Sequence, residues 1–267
     1  MPRHSRKTKQ TLDKKVKEIV RQQISQEVEE KHALIDYANV FLRRAIPSGV
    51  VLNGQGNYFK ILPPIEQSLT GAAGRAYNTR IGNEINLKSI DILGMLNYAS
   101  PNATSVDVQD AKIAVRVMIL RAKEVSDTEL LFDNMPTDTL IRFADSTGLN
   151  SGAGPYNGVA VDPFRSINRD TFSVKYDKII YLDAPVLIPG TSSPDVSVVP
   201  SRSKLFKHKL TFGKNGLKLK YSTSTDTEAN NFPYFMVMGY ASQSSFNLPN
   251  DFLATCNVSC AGTFTDA

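Results

Sequence analysis

Residues 80–98, RIGNEINLKSIDILGMLNY, decide the fold class. Apolar side chains alternate at Ile81, Ile85 and Leu87 and then change phase to Ile90, Ile92, Leu96 and Tyr98. This is a strand pattern with one extra residue near Lys88 or Ser89. Such a bulge re-aims the chain, so the two halves of one long strand can face different parts of a core, as along the corner of a two-sheet sandwich.

Downstream, AKIAVRVMILRAKE from Ala111 sets Ile113, Val115, Val117 and Ile119 against Ala114, Arg116, Met118 and Leu120, which predicts a central strand covered on both faces. FPYFMVMGYA, residues 232–241, is apolar on both sides and suits an inner strand or a subunit contact. FSVKYDKIIYLD from Phe172 alternates at Phe172, Val174, Tyr176, Ile180 and Leu182, and residues 140–143 give a short strand. The last strand is expected from Asp251, with Phe252, Ala254, Cys256, Val258, Cys260 and Phe264 on one side. Residues 206–221 read as a hairpin: Phe206, His208, Leu210 and Phe212 alternate with lysines, Gly213 to Gly216 supplies a turn, and Leu217, Leu219 and Tyr221 return. Lys207, Lys209, Lys218 and Lys220 should then share one face, where four like charges repel unless a polyanion or acidic neighbour lies opposite. They are a second candidate contact for nucleic acid.

Long connections run over residues 101–110, 146–162 and 185–203, and no helical period recurs after residue 80. GAAGRAYNTR, residues 71–80, has neither the preceding strand nor the spacing of a nucleotide loop and reads as a connection. About eight strands with connections of uneven length suit an all-β, double-sheet jelly roll better than an α/β enzyme.

Upstream the chain changes character. Of its 267 residues, the first 21 carry eight basic side chains, Arg3, Arg6, Lys7, Lys9, Lys14, Lys15, Lys17 and Arg21, and two acidic ones. That net +6 exceeds the +5 of the whole chain, so the remainder is close to neutral. A basic terminal arm supplies a sequence-independent, salt-sensitive attraction to phosphate and also fits a nuclear import signal. Its opening, MPRHSRKTKQ, is expected to be disordered when alone. From Leu12, the stripe Leu12, Val16, Val20, Ile24 and Val28 predicts an amphipathic helix. The expected organisation is a basic arm over residues 1–33, an irregular lead-in over 34–79 in which Tyr58 to Leu62 could add a strand, and one β-domain over 80–267.

TRIGNEINLKSIDILG, AKIAVRVMILRAKE, FSVKYDK, FKHKLTFGKNGLKLKYSTST and FPYFMVMGYA together resemble the capsid proteins of small circular single-stranded DNA viruses that encode a rolling-circle replication initiator. The resemblance covers about residues 75–267, with the basic arm its usual companion. It implies a single jelly roll, a homo-oligomeric icosahedral shell of about sixty copies, an arm facing the packaged DNA, and residence in the virion and the host nucleus. The arm here is shorter and less rich in arginine than in many such capsids.

Other classes have less to stand on. His4, His32 and His208 lie in no nucleophile or metal motif, no G-x-S-x-G elbow is present, and no enzyme, cofactor or metal is expected. Asp107 and Asp110 could hold a hard cation, but carboxylates in a polar loop are ordinarily just solvated. Cys256 and Cys260, four apart in a strand pattern, lie about 13 Å apart and read as buried free thiols. No apolar run is long enough to span a bilayer and no membrane partner is expected. Two rivals remain: the coat protein of a small RNA virus, and a β-sandwich that binds a ligand or glycan through its long loops.

Overall fold

The computed structural model describes residues 14–17, 30–46, 57–68, 78–99, 107–125, 137–144, 151–188, 197–199 and 203–266. In chain order its strands are β1 (Lys31–Leu42), β2 (Tyr58–Lys60), β3 (Glu84–Tyr98), β4 (Lys112–Ala122), β5 (Ile141–Ala144), β6 (Ser151–Gly154) and β7 (Phe172–Asp183). There follow β8 (Val186–Ile188), β9 (Ser197–Val199), β10 (Lys204–Thr211), β11 (Leu217–Lys220), β12 (Tyr234–Ser242) and β13 (Ala254–Asp266). One sheet has the order β1-β13-β3-β10, with β11 also on β3, and the other has the order β2-β12-β4-β7. All these pairings are antiparallel, and the described residues are mostly β-sheet, consistent with an all-β sandwich. The ribbons β5-β6 and β8-β9 interrupt the connections from β4 to β7 and from β7 to β10. The thirteen strands among the described residues exceed the eight expected partly because the ribbon strands, at three or four residues each, are too short to display a period.

The bulge expected in the organising strand falls at Lys88. Thr263 pairs with Ser89 and the next residue, Phe264, with Leu87, so Lys88 is the residue left over. On either side of it Ile85 and Leu87, then Ile90, Ile92 and Leu96, all enter the layer between the sheets. There they meet Ile113, Val115, Val117 and Ile119 of β4 and Met236, Met238 and Tyr240 of β12. Each such side chain stabilises the fold by about 1.5–3 kcal/mol relative to exposure. At Gly94 the absence of a side chain lets the Phe206 ring lie over the β3 backbone, where a Cβ would come within 2.0 Å of it.

The second sheet is buried on both sides, as the doubly apolar patterns of β4 and β12 require. Its far face carries Met118, Leu120, Phe235 and Val237 under a cover that includes Leu140, Ile141, Tyr156 and Ile167. Arg116 also points to this side. Its guanidinium grips Asp177 through two hydrogen bonds of 2.8 and 2.7 Å and donates to the carbonyls of Asp162 and Arg165. The fully buried Asp162 carboxylate in turn accepts from the backbone of Asn157 and Val159 and from Arg165. Charge at this depth is tolerated because nearly every donor is paired. On β7 a second bulge at Lys175 turns Phe172 and Val174 to the far face while Tyr176, Ile180 and Leu182 stay inward, although all five share one parity in the sequence.

Four expectations need correction. The lead-in is not irregular throughout: β1 occupies its first part and pairs with β13. Its inner positions include Lys31, Ala33 and Tyr37, and a bulge with Asn39 at φ 52° breaks the phase, so the apolar period is faint. β3 begins at Glu84 and Ile81 is exposed, because Arg80 curls the preceding chain. The fully buried Arg80 guanidinium donates to Gly82 O and Asn83 Oδ1, reaches Thr223 O at 2.8 Å and Asp226 O at 2.9 Å, and stacks 4.1 Å from the Tyr221 ring centre. Phe252 lies outside the last strand at φ 65°.

The fourth concerns residues 206–221. β10 and β11 are not a hairpin. They run in the same direction, end to end along one edge of β3, β10 opposite Ser89 to Leu96 and β11 opposite Glu84 to Leu87. Residues 212–216 bridge the Lys88 bulge as an excursion, with Gly213 and Gly216 both at φ 76°. At Gly216 a Cβ would also press on the Leu87 carbonyl at 2.8 Å.

Candidate nucleic-acid interface

Collinearity preserves the predicted lysine face by another route. Phe206, Leu210 and Leu219 point inward, and Lys207, Lys209, Lys218 and Lys220 are exposed on the opposite side of the five-stranded sheet. Because successive outward residues are about 6.8 Å apart, each pair forms a short row, and the two rows follow one another down a single edge.

Acidic side chains on β3 meet two of the four. Lys209 Nζ lies 2.9 Å from Asp91 Oδ2, its direct cross-strand partner, and Lys218 Nζ lies 2.6 Å from Glu84 Oε2. The hydrogen bond from Lys218 holds the Glu84 carboxyl below its ordinary range. Lys207 sits opposite Leu93 and Lys220 opposite Glu84; neither forms an ion pair among the described residues. Glu84 and Asp91 were missed as counter-charges. Their signal is their outward parity beside Ile85 and Ile90, which becomes readable only once the pairing partner of β3 is known.

Beside the lysine edge lies β3 with its exposed Leu93, and β13 follows β3. β13 presents Thr255, Asn257, Ser259, Ala261 and Thr263 along it, none fully exposed, and β1 contributes His32, Leu34 and Asp36 beyond them. His32 Nδ1 lies 3.2 Å from Thr263 Oγ1. His208 is on the other side, half-buried, its ring 4.8 Å from that of Tyr176, and burial lowers its pKa.

The arm joins this same sheet. Across it, Lys31 pairs with Phe264, Phe264 with Leu87 and Leu87 with Leu217. Three strand spacings of about 4.8 Å set the root of the arm about 14 Å from the start of β11, at the same end of the sheet. Lys14, Lys15 and Lys17 are exposed, and residues 14–17 are helical, within the expected helix. Arg3, Arg6, Lys7, Lys9 and Arg21 lie outside the described residues, as do most of the expected helix and residues 71–77 of the glycine-containing connection.

The other flagged groups have structural partners. Asp110 is buried and accepts from the Asn250 backbone and side chain at 2.9 and 2.6 Å, tying the loop before β4 to the loop before β13. Cys256 and Cys260 are free and buried, and burial pushes both thiols up to about 12. Compared with known proteins, the chain matches no family model, and no curated sequence matches it.

Proposed function

We propose that this chain is a viral coat protein that self-assembles into a small icosahedral shell and packages a circular single-stranded DNA genome, with a jelly roll as its body. The strand order supports the fold. With β10 and β11 counted as one edge and the two ribbons set aside as insertions, eight strands remain. They pair in the orders 1-8-3-6 and 2-7-4-5, which is what two Greek keys wound together give.

The observation that carries the function is that the strand following the basic arm enters the same sheet that carries the lysine edge. The arm departs from the end of the sheet that carries Lys218 and Lys220, with Lys207 and Lys209 next along the same edge. The two-residue repeat of a strand spaces successive outward lysines by about 6.8 Å along the edge, where each can meet a phosphate of a nucleic-acid strand laid beside it. Individually such contacts are weak; in a shell they add by avidity. The resemblance noted in the sequence is what favours DNA over RNA.

The test is purification of the full chain with nucleic acid present, followed by electron microscopy and nuclease digestion of the extracted contents. Uniform round particles holding DNase-sensitive material are expected, and removal of residues 1–21 should yield empty particles or none. A chain that stays monomeric at high concentration, with no ionic-strength-dependent affinity for nucleic acid, overturns the proposal. RNase-sensitive contents overturn the choice of DNA.

A further inference from the structure

The outer face of the five-stranded sheet carries apolar side chains where a merely solvated face would carry polar ones. Leu205 of β10 is 74% exposed and Leu93 of β3 is 53% exposed. They belong to one patch. Leu205 lies directly opposite Met95, which is half-buried, and Met95 is two residues from Leu93 on the same face of β3. Lys207, the next outward residue after Leu205, lies directly opposite Leu93. It is exposed and forms no ion pair among the described residues, whereas the following lysine, Lys209, is held by Asp91. An uncommitted ammonium group therefore stands at the corner of an apolar patch built on two paired strands. The support is stiff. β3 is paired on both sides here, with Leu93 also opposite Ser259 of β13, and the Phe206 ring packs against Gly94, the residue between Leu93 and Met95, from the inner side.

We infer that Lys207, Leu205, Leu93 and Met95 form a nucleotide subsite for single strands, in which the ammonium group takes a backbone phosphate and the three apolar side chains take the unstacked base beside it. The inference rests on the nucleic-acid reading above and goes beyond it by adding contact with bases to contact with phosphates. The unpaired lysine supplies the reason for this occupant. Apolar surface at the foot of a free cation complements a ligand that is anionic on one side and a flat ring on the other, which is the shape of a nucleotide in a single strand. A duplex gains nothing from the leucines, because its bases are paired and stacked and it offers a flat sheet mainly phosphate and sugar. A single strand can turn its bases out onto the protein. Side chains held on a strand paired on both sides lose little freedom when the base arrives. Charge also sets the limit of the subsite. Beyond Leu93 and Ser259 stands the exposed Asp36 of β1, the direct partner of Ser259, which repels phosphate and keeps the backbone of the bound strand on the β10 side. Aliphatic side chains read no base edge, so the subsite selects single strands without selecting a sequence.

The test follows binding of the full chain by fluorescence anisotropy over a salt series. The labelled probes are a single-stranded DNA, an abasic strand of the same length and a duplex of that length. The wild-type chain should hold the single strand about three- to tenfold more tightly than the abasic strand at each salt concentration. Leu93→Ser and Leu205→Ser should each lower affinity for the single strand by about the same factor, with an unchanged slope of log affinity against log salt. Their binding to the abasic strand and the duplex, and their thermal midpoints, should stay at the wild-type values. Lys207→Ala should instead reduce the slope. Leucine variants that bind the single strand as wild type does, or a wild-type chain that does not distinguish it from the abasic strand, overturn the subsite and leave the phosphate contacts standing. Leucine variants that keep their affinity but assemble only at higher concentration assign the patch to a contact between copies and equally overturn it. Loss of all salt-dependent affinity in the wild-type chain overturns the nucleic-acid reading as well.

Discussion

The Lys31 ammonium lies 2.5 Å from the Asp266 carboxylate and donates to the Thr79 carbonyl at 3.0 Å, while the second Asp266 oxygen accepts from the Ile81 backbone at 3.0 Å. The first residue of β1, the last of β13 and the segment leading into β3 are thereby tied together where the arm departs. Asp266→Asn keeps the shape and removes the charge, leaving a largely buried ammonium without a counter-ion. Urea unfolding should show a loss of about 1–3 kcal/mol, at the lower end because Asp266 is partly solvated. Affinity of the arm for nucleic acid should be unchanged.

Gly94 and Phe206 should behave as a coupled pair. Gly94→Ala drives a methyl group into the ring and is expected to cost about 1–3 kcal/mol, as overpacking of a dense core does. Phe206→Leu alone opens a gap and also destabilises. Combined in one chain, the two changes should cost less than their sum in chemical denaturation, since the smaller side chain makes room for the methyl. Strict additivity would show that the ring does not depend on the glycine.

Alkaline stability follows from the two thiols. Unfolded, Cys256 and Cys260 release their protons near pH 8.5; folded, burial holds them to about 12. Their contribution is complete below the unfolded value and is lost as pH rises towards the folded one. Between these limits the unfolding free energy should fall by about 1.4 kcal/mol per pH unit for each thiol. Tyr37, raised to about 12 chiefly by burial, works in the same direction. Cys256→Ala should flatten the slope whatever its offset, and native thiols should stay unreactive to alkylation at pH 8 until urea is added.

Salt titrations should separate the contributions to nucleic-acid binding. An arm of net charge +6 gives a slope of log affinity against log salt of about −4 on single strands. Lys207→Ala and Lys220→Ala should each reduce its magnitude by about 0.7. Lys209→Ala and Lys218→Ala should do less, because Asp91 and Glu84 already hold those ammonium groups. Equal effects at all four positions would mean that the ion pairs open at no cost when the polyanion arrives.

Much of this architecture is legible wherever the apolar period is strong. The phase change in β3 located its bulge to within a residue, and the doubly apolar patterns of β4 and β12 marked the strands buried on both faces. β1 was lost because lysine, alanine and tyrosine hold its inner positions and Asn39 breaks its phase. The misread hairpin has a different cause: alternation about a glycine turn looks the same whether the second strand folds back or continues. The choice is made by β3, whose 15 residues offer successive partners to both β10 and β11. For the candidate interface, parity alone gave the lysine face, whereas its acidic neighbours depended on a pairing that no local pattern encodes.

The five-residue excursion opposite Lys88 also bears on how crowded copies avoid the wrong contact. A long uninterrupted outer strand invites neighbours to zip onto it through main-chain hydrogen bonds, the route to fibrils. Here that border is split into segments of eight and four residues by a glycine-flanked knuckle and lined with ammonium groups. On the proposed coat-protein function, such a border would steer crowded subunits away from ribbon-like stacking and towards association through side chains.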